Sequence, residues 1–254
     1  MENQASPAQR TSDLPRISLV IPVYNEEENL LDLVREIRPV LDPLGQSYEI
    51  LLIDDGSTDR SLQVMRAAAQ EHSPVRFIAF EANRGQSAAF VAGFSEAKGE
   101  LVITMDADLQ NDPADIPAML RLYDQGYDMV IGWRAKRKDT WFKRIGSKIG
   151  NGFRNRLTGE QVHDTGCSLK IMRREMTLKL PRFNGMHRFL PTLMKMEGAR
   201  VAEIKVNHRP RTRGVSKYTN WQRAMVGFSD VLGVRWLGKR HFDYAIRERG
   251  GHGN

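Results

Sequence analysis

Cysteine is nearly absent from this 254-residue chain, where Cys167 stands alone. An internal disulfide is therefore excluded, and a single thiol fits a reducing compartment. The ordinary role of such a residue is that of a small buried hydrophobe. No run of 18 apolar residues occurs, so no bilayer-spanning helix is expected. Met1 to Arg16 is polar and lacks an apolar signal core, and it reads as a disordered leader. No G-x-G-x-x-G follows the first apolar stretch, and neither a P-loop, C-x-x-C nor H-E-x-x-H is present. Dinucleotide redox chemistry, the common form of ATP hydrolysis and a zinc centre thus lack sequence support. Acidic residues are scarce in one segment. From Arg134 to Glu160, nine basic residues (Arg134, Lys136, Arg137, Lys138, Lys143, Arg144, Lys148, Arg154, Arg156) face only Asp139 and Glu160. That net +7 equals the charge of the whole chain, so the excess is local. It suits an anionic partner: nucleic acid, an anionic membrane surface or a phosphorylated substrate.

Short apolar runs alternate with helix-patterned segments through the first half. Strands are expected at Ile17–Val23, Ile50–Ile53, Val75–Phe80, Leu101–Met105 and Met129–Ile131. Helices are expected at Glu26–Leu41, Gln86–Lys98 and Asp115–Gln125, with Ser57 or Thr58 capping a further one and Asp112-Pro113 forming an N-cap and N1 pair. This alternation implies a parallel, doubly wound α/β sheet. The second half is less regular. A basic helix over Lys143–Leu157, a strand over Cys167–Met172, a helix over Met186–Glu197 and a strand over Val201–Val206 are expected. Asn220–Leu237 places Trp221, Met225, Phe228, Leu232 and Trp236 on one helical stripe, followed by Lys239, Arg240 and His241. Such a stripe packs on a core, or it lies in a membrane interface with its basic end at the headgroups.

In open α/β sheets, ligands sit beyond the carboxyl ends of the strands. Four polar loops fall there: Tyr24-Asn25-Glu26, Asp54-Asp55-Gly56, Arg84-Gly85 and Asp106-Ala107-Asp108. The last is the most informative. If the strand direction persists past Met105, residues i and i+2 point the same way, and Asp106 and Asp108 form a carboxylate pair, with Gln110 as a further oxygen. Such a set suits a hard divalent cation, Mg²⁺ or Mn²⁺, that takes its remaining ligands from water and substrate phosphates. A metal bridging two phosphates makes a nucleoside diphosphate a better leaving group, which serves sugar transfer and nucleotidyl transfer alike.

The motifs Ile17-Ser18-Leu19-Val20-Ile21-Pro22-Val23-Tyr24-Asn25-Glu26-Glu27, Ile53-Asp54-Asp55-Gly56-Ser57-Thr58-Asp59, Asn83-Arg84-Gly85 and Met105-Asp106-Ala107-Asp108-Leu109-Gln110 resemble those of the family 2 glycosyltransferases with the GT-A fold. Ile131-Gly132-Trp133-Arg134, Arg144-Ile145-Gly146-Ser147-Lys148, His163-Asp164-Thr165-Gly166-Cys167-Ser168 and Arg211-Thr212-Arg213-Gly214-Val215-Ser216-Lys217-Tyr218 are similar to the polyprenyl-phosphate branch, of which dolichyl-phosphate mannose synthases are the best-known members. The resemblance implies a mostly parallel GT-A sheet with helices on both faces. It further implies an inverting, metal-dependent transfer of a hexose, with mannose expected, from a GDP- or UDP-sugar to a dolichyl or undecaprenyl phosphate. By position, Pro22, Tyr24, Glu26 and Asp54 would line base and ribose, and Asp55 and Arg84 would lie near ribose and diphosphate. Asp106, Asp108 and Gln110 would hold the metal. Arg134, Arg144 and Ser147 would face the acceptor phosphate, with Asp108, Arg134 and Arg144 as the catalytic set. Arg211, Ser216 and Lys217 would close over donor or acceptor.

The basic segment agrees with this reading, because arginine forks bind phosphate bidentately. A phosphate acceptor is already anionic and needs positioning more than a general base. A family 2 enzyme acting on a glycan or glycolipid hydroxyl would instead need a carboxylate base, for which Asp164 is the candidate. The family's common Ser-Gly-Phe-Arg stretch reads Gly166-Cys167-Ser168-Leu169-Lys170 here, a departure at the wall near the donor sugar. The expected organisation is a leader at 1–16, a catalytic domain at 17–218, and a helix with a basic tail at 219–254. Many relatives carry C-terminal membrane spans and this sequence has none. The protein is therefore expected on the cytoplasmic face of a membrane, peripherally or through a membrane-anchored partner subunit, and with no nucleic-acid role.

Overall fold

The computed structural model describes residues 14–135, 162–210, 220–242 and 247–248, with backbone alone for 220–228. Residues 1–13 of the leader expected at 1–16, and the basic helix expected over Lys143–Leu157, lie outside the described residues.

Seven strands form one sheet: β1 (Ile17–Val23), β2 (Tyr48–Asp54), β3 (Val75–Ala79), β4 (Leu101–Thr104), β5 (Met129–Trp133), β6 (Lys170–Arg173) and β7 (Val201–Lys205), in the order β3-β2-β1-β4-β6-β5-β7. Helices α1 (Leu30–Leu41), α2 (Ser61–Glu71), α3 (Gln86–Glu96) and α4 (Ile116–Tyr123) connect the first strands. The short helices α5 (Arg174–Thr177) and α6 (Leu190–Met196), and the long α7 (Asn220–Arg240), follow in the second half. Strands β1 to β4 are mutually parallel, as the βαβ alternation demands. The sheet is mostly, not wholly, parallel, as the family resemblance implied. β6 runs antiparallel to both β4 and β5, while β5 and β7 pair in parallel.

The parallel strands are buried on both faces, which is why they read as continuous apolar runs. Leu19, Ile21, Ile50, Leu52, Leu101 and Ile103 point into one apolar cluster, shared with α1, α2 and α4. Val20, Leu51, Ile53 and Val102 point into the other, with Phe90 and Phe94 of α3, Leu190 and Leu193 of α6, and Val231 and Val234 of α7. Each such fully buried side chain contributes roughly 1.5–3 kcal/mol relative to exposure. One cluster lies on each face, so all four loops after β1 to β4 emerge along a single edge.

Several expected boundaries shift for physical reasons. Residues 26–29 form a turn, and α1 begins at Leu30, because the amides of Glu26 and Glu27 donate to Ser61 and Asp59 of the neighbouring loop. Asp59, rather than Ser57 or Thr58, serves the start of α2, accepting from the Ser61 amide at 2.9 Å. Asp112 caps the turn before α4, accepting from Ala114 at 3.1 Å with Pro113 at the first position. The expected helix over 186–197 is split: a 3₁₀ turn at Met186–Arg188 precedes α6, which opens with Pro191 in its first turn. Cys167 to Leu169 form a loop, and β6 begins only at Lys170. In α7, Val231 and Val234 are buried whereas Leu232 and Trp236 are 46% and 60% exposed. The last two members of the expected stripe therefore do not pack on the core; the side chains of Trp221, Met225 and Phe228 lie outside the described residues.

Candidate active site

The first two loops are knitted into one wall. Asn25, in the left-handed region at φ 54°, donates its amide to Ser57 Oγ at 3.0 Å and accepts from the Thr58 amide at 2.8 Å. The Glu26 amide donates to Ser61 Oγ at 2.8 Å, and Glu27 Oε2 accepts from the Arg60 amide at 2.9 Å. Pro22 and Tyr24 sit half-buried at the β1 end of this wall, and Asp54 is buried at the β2 end, accepting from the Ser57 amide at 3.1 Å.

Asp55 ties two of these loops together. Its Oδ1 accepts from the amides of Arg84 (2.7 Å) and Gly85 (3.1 Å), and its Oδ2 from Gly85 (2.9 Å) and Asn83 Nδ2 (3.0 Å). The carboxylate thus holds the Asn83-Arg84-Gly85 loop. Burial raises its pKa, the Arg84 and Gly85 amides oppose that, and the charge of Asp54 adds to it. Gly56 completes the joint. At φ 69° a β-carbon there would lie 2.5 Å from the carbonyl carbon of Ala82.

The carboxylate pair follows β4. Asp106 Oδ1 accepts from Gln86 Nε2 at 2.8 Å, and its own amide donates to Asn111 Oδ1 at 3.4 Å. Asn111 Oδ1 also accepts from Ser168 Oγ at 2.8 Å, and Thr104 Oγ1 donates to the Ser168 carbonyl at 2.6 Å. Leu109 at φ 59° turns the chain back, so that the Gln110 amide donates to Asp108 Oδ1 at 3.2 Å. Burial pushes the Asp106 carboxyl up, and the charge of Asp108 pushes it further; a Ser168 hydrogen bond and the charges of Lys170 and Arg134 pull it down. Two carboxylates that repel each other in a poorly hydrated place form a seat that a divalent cation relieves, and oxygen donors are the chemistry Mg²⁺ and Mn²⁺ prefer. Among the described residues no group of three His, Cys, Asp or Glu gathers to hold a metal. Asp106, Asp108 and Gln110 would therefore leave the rest of a coordination shell to other ligands.

Lys170 stands behind this pair. It is buried, its ammonium donates to the Cys167 carbonyl, and burial lowers its pKa against the attraction of Cys167, Asp106 and Asp164. Burial likewise raises the Cys167 thiol, which fits the small-hydrophobe role and not that of a nucleophile.

Arg134 is clamped. Its Nε and Nη2 donate to Asp164 Oδ2 and Oδ1 at 2.7 and 2.9 Å, with side chains only 13% and 12% exposed. The Arg134 amide donates to the same carboxylate at 3.3 Å. Beside it, Trp133 stacks on His163 at 4.5 Å. The chain is thus pinned both where it leaves β5 and where it returns before β6. One edge of the guanidinium, Nε and Nη2, is thus engaged within the protein.

Sequence reasoning missed a further strut. The Arg209 amide donates to the Gln110 carbonyl at 2.9 Å, and Gln110 Nε2 donates to the Arg209 carbonyl at 3.4 Å. The Arg209 guanidinium pairs with Asp112 at 2.9 Å and with Glu36. Arg209 therefore stands beside the carboxylate loop. Arg211, Ser216 and Lys217 themselves lie outside the described residues, as do Arg144 and Ser147. Gln86, Asn111 and Arg209 carry no motif signal; polar residues flanking Asp106 and the Arg84-Gly85 turn were the only hint.

Residues 18–180 match the model of the family described as glycosyl transferase family 2. The chain is similar to an undecaprenyl-phosphate 4-deoxy-4-formamido-L-arabinose transferase of Edwardsiella ictaluri (strain 93-146), 43% identical over 203 residues. That match covers 80% of this chain and 62% of the relative, so the chain spans under two thirds of the length of the relative. Among solved structures, it is similar to glucosyl-3-phosphoglycerate synthase from Mycobacterium tuberculosis in complex with Mn²⁺, UDP-glucose and phosphoglyceric acid (TM-score 0.64, 18% identity, 90% of this chain and 81% of that one). It is also similar to the mannosyltransferase PcManGT from Pyrobaculum calidifontis in complex with GDP-mannose and Mn²⁺ (TM-score 0.61, 20% identity, 92% and 67%). The likeness to these structures shows a shared fold: the mostly parallel sheet with helices on both faces is the GT-A architecture.

Proposed function

The chain belongs to glycosyl transferase family 2, and we propose that it transfers a sugar from a nucleotide-sugar to a polyprenyl phosphate. Two lines support this reading: the 43% identical relative, whose name specifies an undecaprenyl-phosphate acceptor, and the state of Asp164. A hydroxyl acceptor needs a carboxylate base. Asp164, the candidate for that role, has both oxygens on Arg134. A phosphate monoester brings its own charge and needs no base.

In this reading Pro22, Tyr24, Glu26 and Asp54 bind base and ribose, and Asp55 fixes the loop that presents Arg84 to the diphosphate. Asp106, Asp108 and Gln110 hold Mg²⁺ or Mn²⁺, which supplies charge neutralisation to the departing diphosphate. Gln86 and Ser168 fix Asp106, and Lys170 balances the carboxylates from behind. Arg134 positions the neck of the basic segment, from which Arg144 and Ser147 meet the acceptor phosphate. Arg211, Ser216 and Lys217 close over the donor, starting from the strut at Arg209. An acceptor phosphate oxygen attacks the anomeric carbon from the side opposite the diphosphate, whose bond to that carbon breaks with inversion.

Mannose is the sugar the motif resemblance implies, whereas the relative's name specifies a formamido-arabinose. Both belong in the donor panel, since the wall at Gly166–Lys170 departs from the family pattern. No helix among the described residues is long and apolar enough to cross a membrane. We place the protein peripherally on the cytoplasmic face, with the outward side of α7 at the lipid: Leu232, Trp236 and Phe242 are exposed beside exposed Arg235, Lys239 and Arg240. The test is incubation with undecaprenyl or dolichyl phosphate, separate GDP- and UDP-sugars and Mg²⁺ or Mn²⁺, with products read by mass. A glycosyl phosphoprenol is expected with one donor class. No lipid product with any donor would overturn the proposal.

A further inference from the structure

Consecutive residues at the start of α3 face two ways. Gln86 holds Asp106, while Ser87 reaches the 3₁₀ turn at Met186–Arg188. Ser87 is buried, and its Oγ accepts from the Gly185 amide at 2.9 Å and lies 2.7 Å from His187 Nδ1. Gly185 makes this approach feasible. At φ 92° it is in the left-handed region, and a β-carbon there would lie 2.7 Å from Asp230 Oδ2 of α7. The imidazole is thus fixed by one nitrogen, while its other nitrogen, Nε2, has no hydrogen-bond partner among the described residues. The residue is only half-buried, so the ring keeps an open edge.

One observation places that edge by the cleft: its support, Ser87, is the direct neighbour of Gln86, which holds Asp106, so the ring stands at the start of α3, at the same sheet edge as the carboxylate pair. The ring is also electrically neutral. Burial, with the charges of Arg188 and Lys170, pushes its pKa down to about 3, so it neither gains nor loses a proton at ordinary pH. A neutral imidazole, locked at one nitrogen and open at the other, is suited to a neutral polar group such as a hydroxyl or an amide. An anion would be served by the neighbouring cations.

We propose that His187 is a specificity-determining residue of the donor site, hydrogen-bonding a polar ring substituent of the transferred sugar. This deepens the nucleotide-sugar reading and rests on it. A stitch between α3 and the 185–188 turn would need only Nδ1, and its loss would lower stability without regard to what the nucleotide carries.

The test is calorimetric binding of UDP, UDP-glucose, GDP and GDP-mannose with Mn²⁺ to the wild type, His187→Ala, His187→Gln and Ser87→Ala. The quantity read is the affinity of each nucleotide-sugar relative to its bare diphosphate. His187→Ala should weaken the better-bound nucleotide-sugar by roughly tenfold relative to its diphosphate, the worth of one well-placed hydrogen bond. Ser87→Ala should do so by less, and His187→Gln should restore part of the loss, with diphosphate affinity unchanged throughout. An unchanged ratio in His187→Ala, or an equal loss for sugar and diphosphate together with a lowered melting temperature, would overturn the inference alone. Failure of the wild type to bind any of the four would overturn the donor-site reading beneath it.

Discussion

The side of this cleft proposed for the donor and the side proposed for the acceptor are built on opposite principles. On the donor side, short loops after β1 to β4 are tied to one another by backbone amides and short polar side chains, and their register is set by a sheet buried on both faces. On the side proposed for the acceptor, the described contacts that pin the neck of the basic segment are the buried ion pair of Arg134 with Asp164 and the stack of Trp133 on His163. The first construction spreads its stability over many small contacts. The second, among the described residues, leans on a buried charge pair, so the two sides should break differently.

Asp108→Asn should show the largest effect. Replacing the carboxylate by an amide removes charge where the metal is to sit, and transfer should fall on the order of 10²-fold or more. Asp106→Asn should cripple the enzyme through the same seat. Initial rates at saturating donor check both, and near-normal turnover by either variant would sink the metal assignment.

Next comes the acceptor-side clamp. Asp164→Ala strands a buried guanidinium, and losing one partner of such a pair costs about 3–5 kcal/mol. Denaturant unfolding should show that loss. The double variant Arg134→Met/Asp164→Leu should regain most of the stability yet transfer poorly, because the neck is no longer fixed by direction. If the double variant transfers normally, the clamp is only a stabilising contact.

A smaller effect is expected for Arg144→Ala: roughly tenfold weaker use of lipid phosphate, the worth of about one charged hydrogen bond, with donor binding unchanged. Calorimetry beside acceptor kinetics separates the two, and an equal loss in both would move Arg144 to the donor side. The smallest is at α7. Trp236→Ala should reduce flotation with anionic vesicles by a few-fold at low salt, since each nearby basic residue still contributes roughly 1 kcal/mol. Unchanged flotation would remove the helix from the membrane surface.

The same contrast explains what could be read from the chain. Ile17–Val23 was legible to the residue because a doubly buried parallel strand leaves an unbroken apolar run. Its polar loop then falls where topology puts ligands. The place of Asp106 and Asp108 in the loop after β4 was legible for the same reason, although β4 ends at Thr104 and the two lie past the strand. The direction of β6 was not, since four residues, Lys170–Arg173, carry no mark of parallel or antiparallel pairing, and the register comes from β4 and β5. Asp55 was legible as a loop carboxylate but not as a holder of Asn83-Arg84-Gly85, a tertiary contact some 30 residues away in sequence. The pairing of Arg134 with Asp164 was not legible either, because the two lie at opposite ends of the basic segment in sequence. His187 gave no signal at all, because its environment is made by Ser87, 100 residues earlier. The stripe on Asn220–Leu237 allowed two readings, core packing or a membrane interface; in the helix, Val231 and Val234, which are not members of the stripe, take the inner face.

The central claim is that a charged acceptor meets a donor held by the four loops, with no base between them. Its most direct test offers one polyprenyl chain in two forms, the phosphate and the free alcohol, to the same protein with the same donor and Mn²⁺. The account predicts glycosylation of the phosphate alone, with a rate that does not depend on any carboxylate at position 164 once the neck is held. Transfer to the alcohol at a comparable rate, abolished by Asp164→Asn, would contradict it.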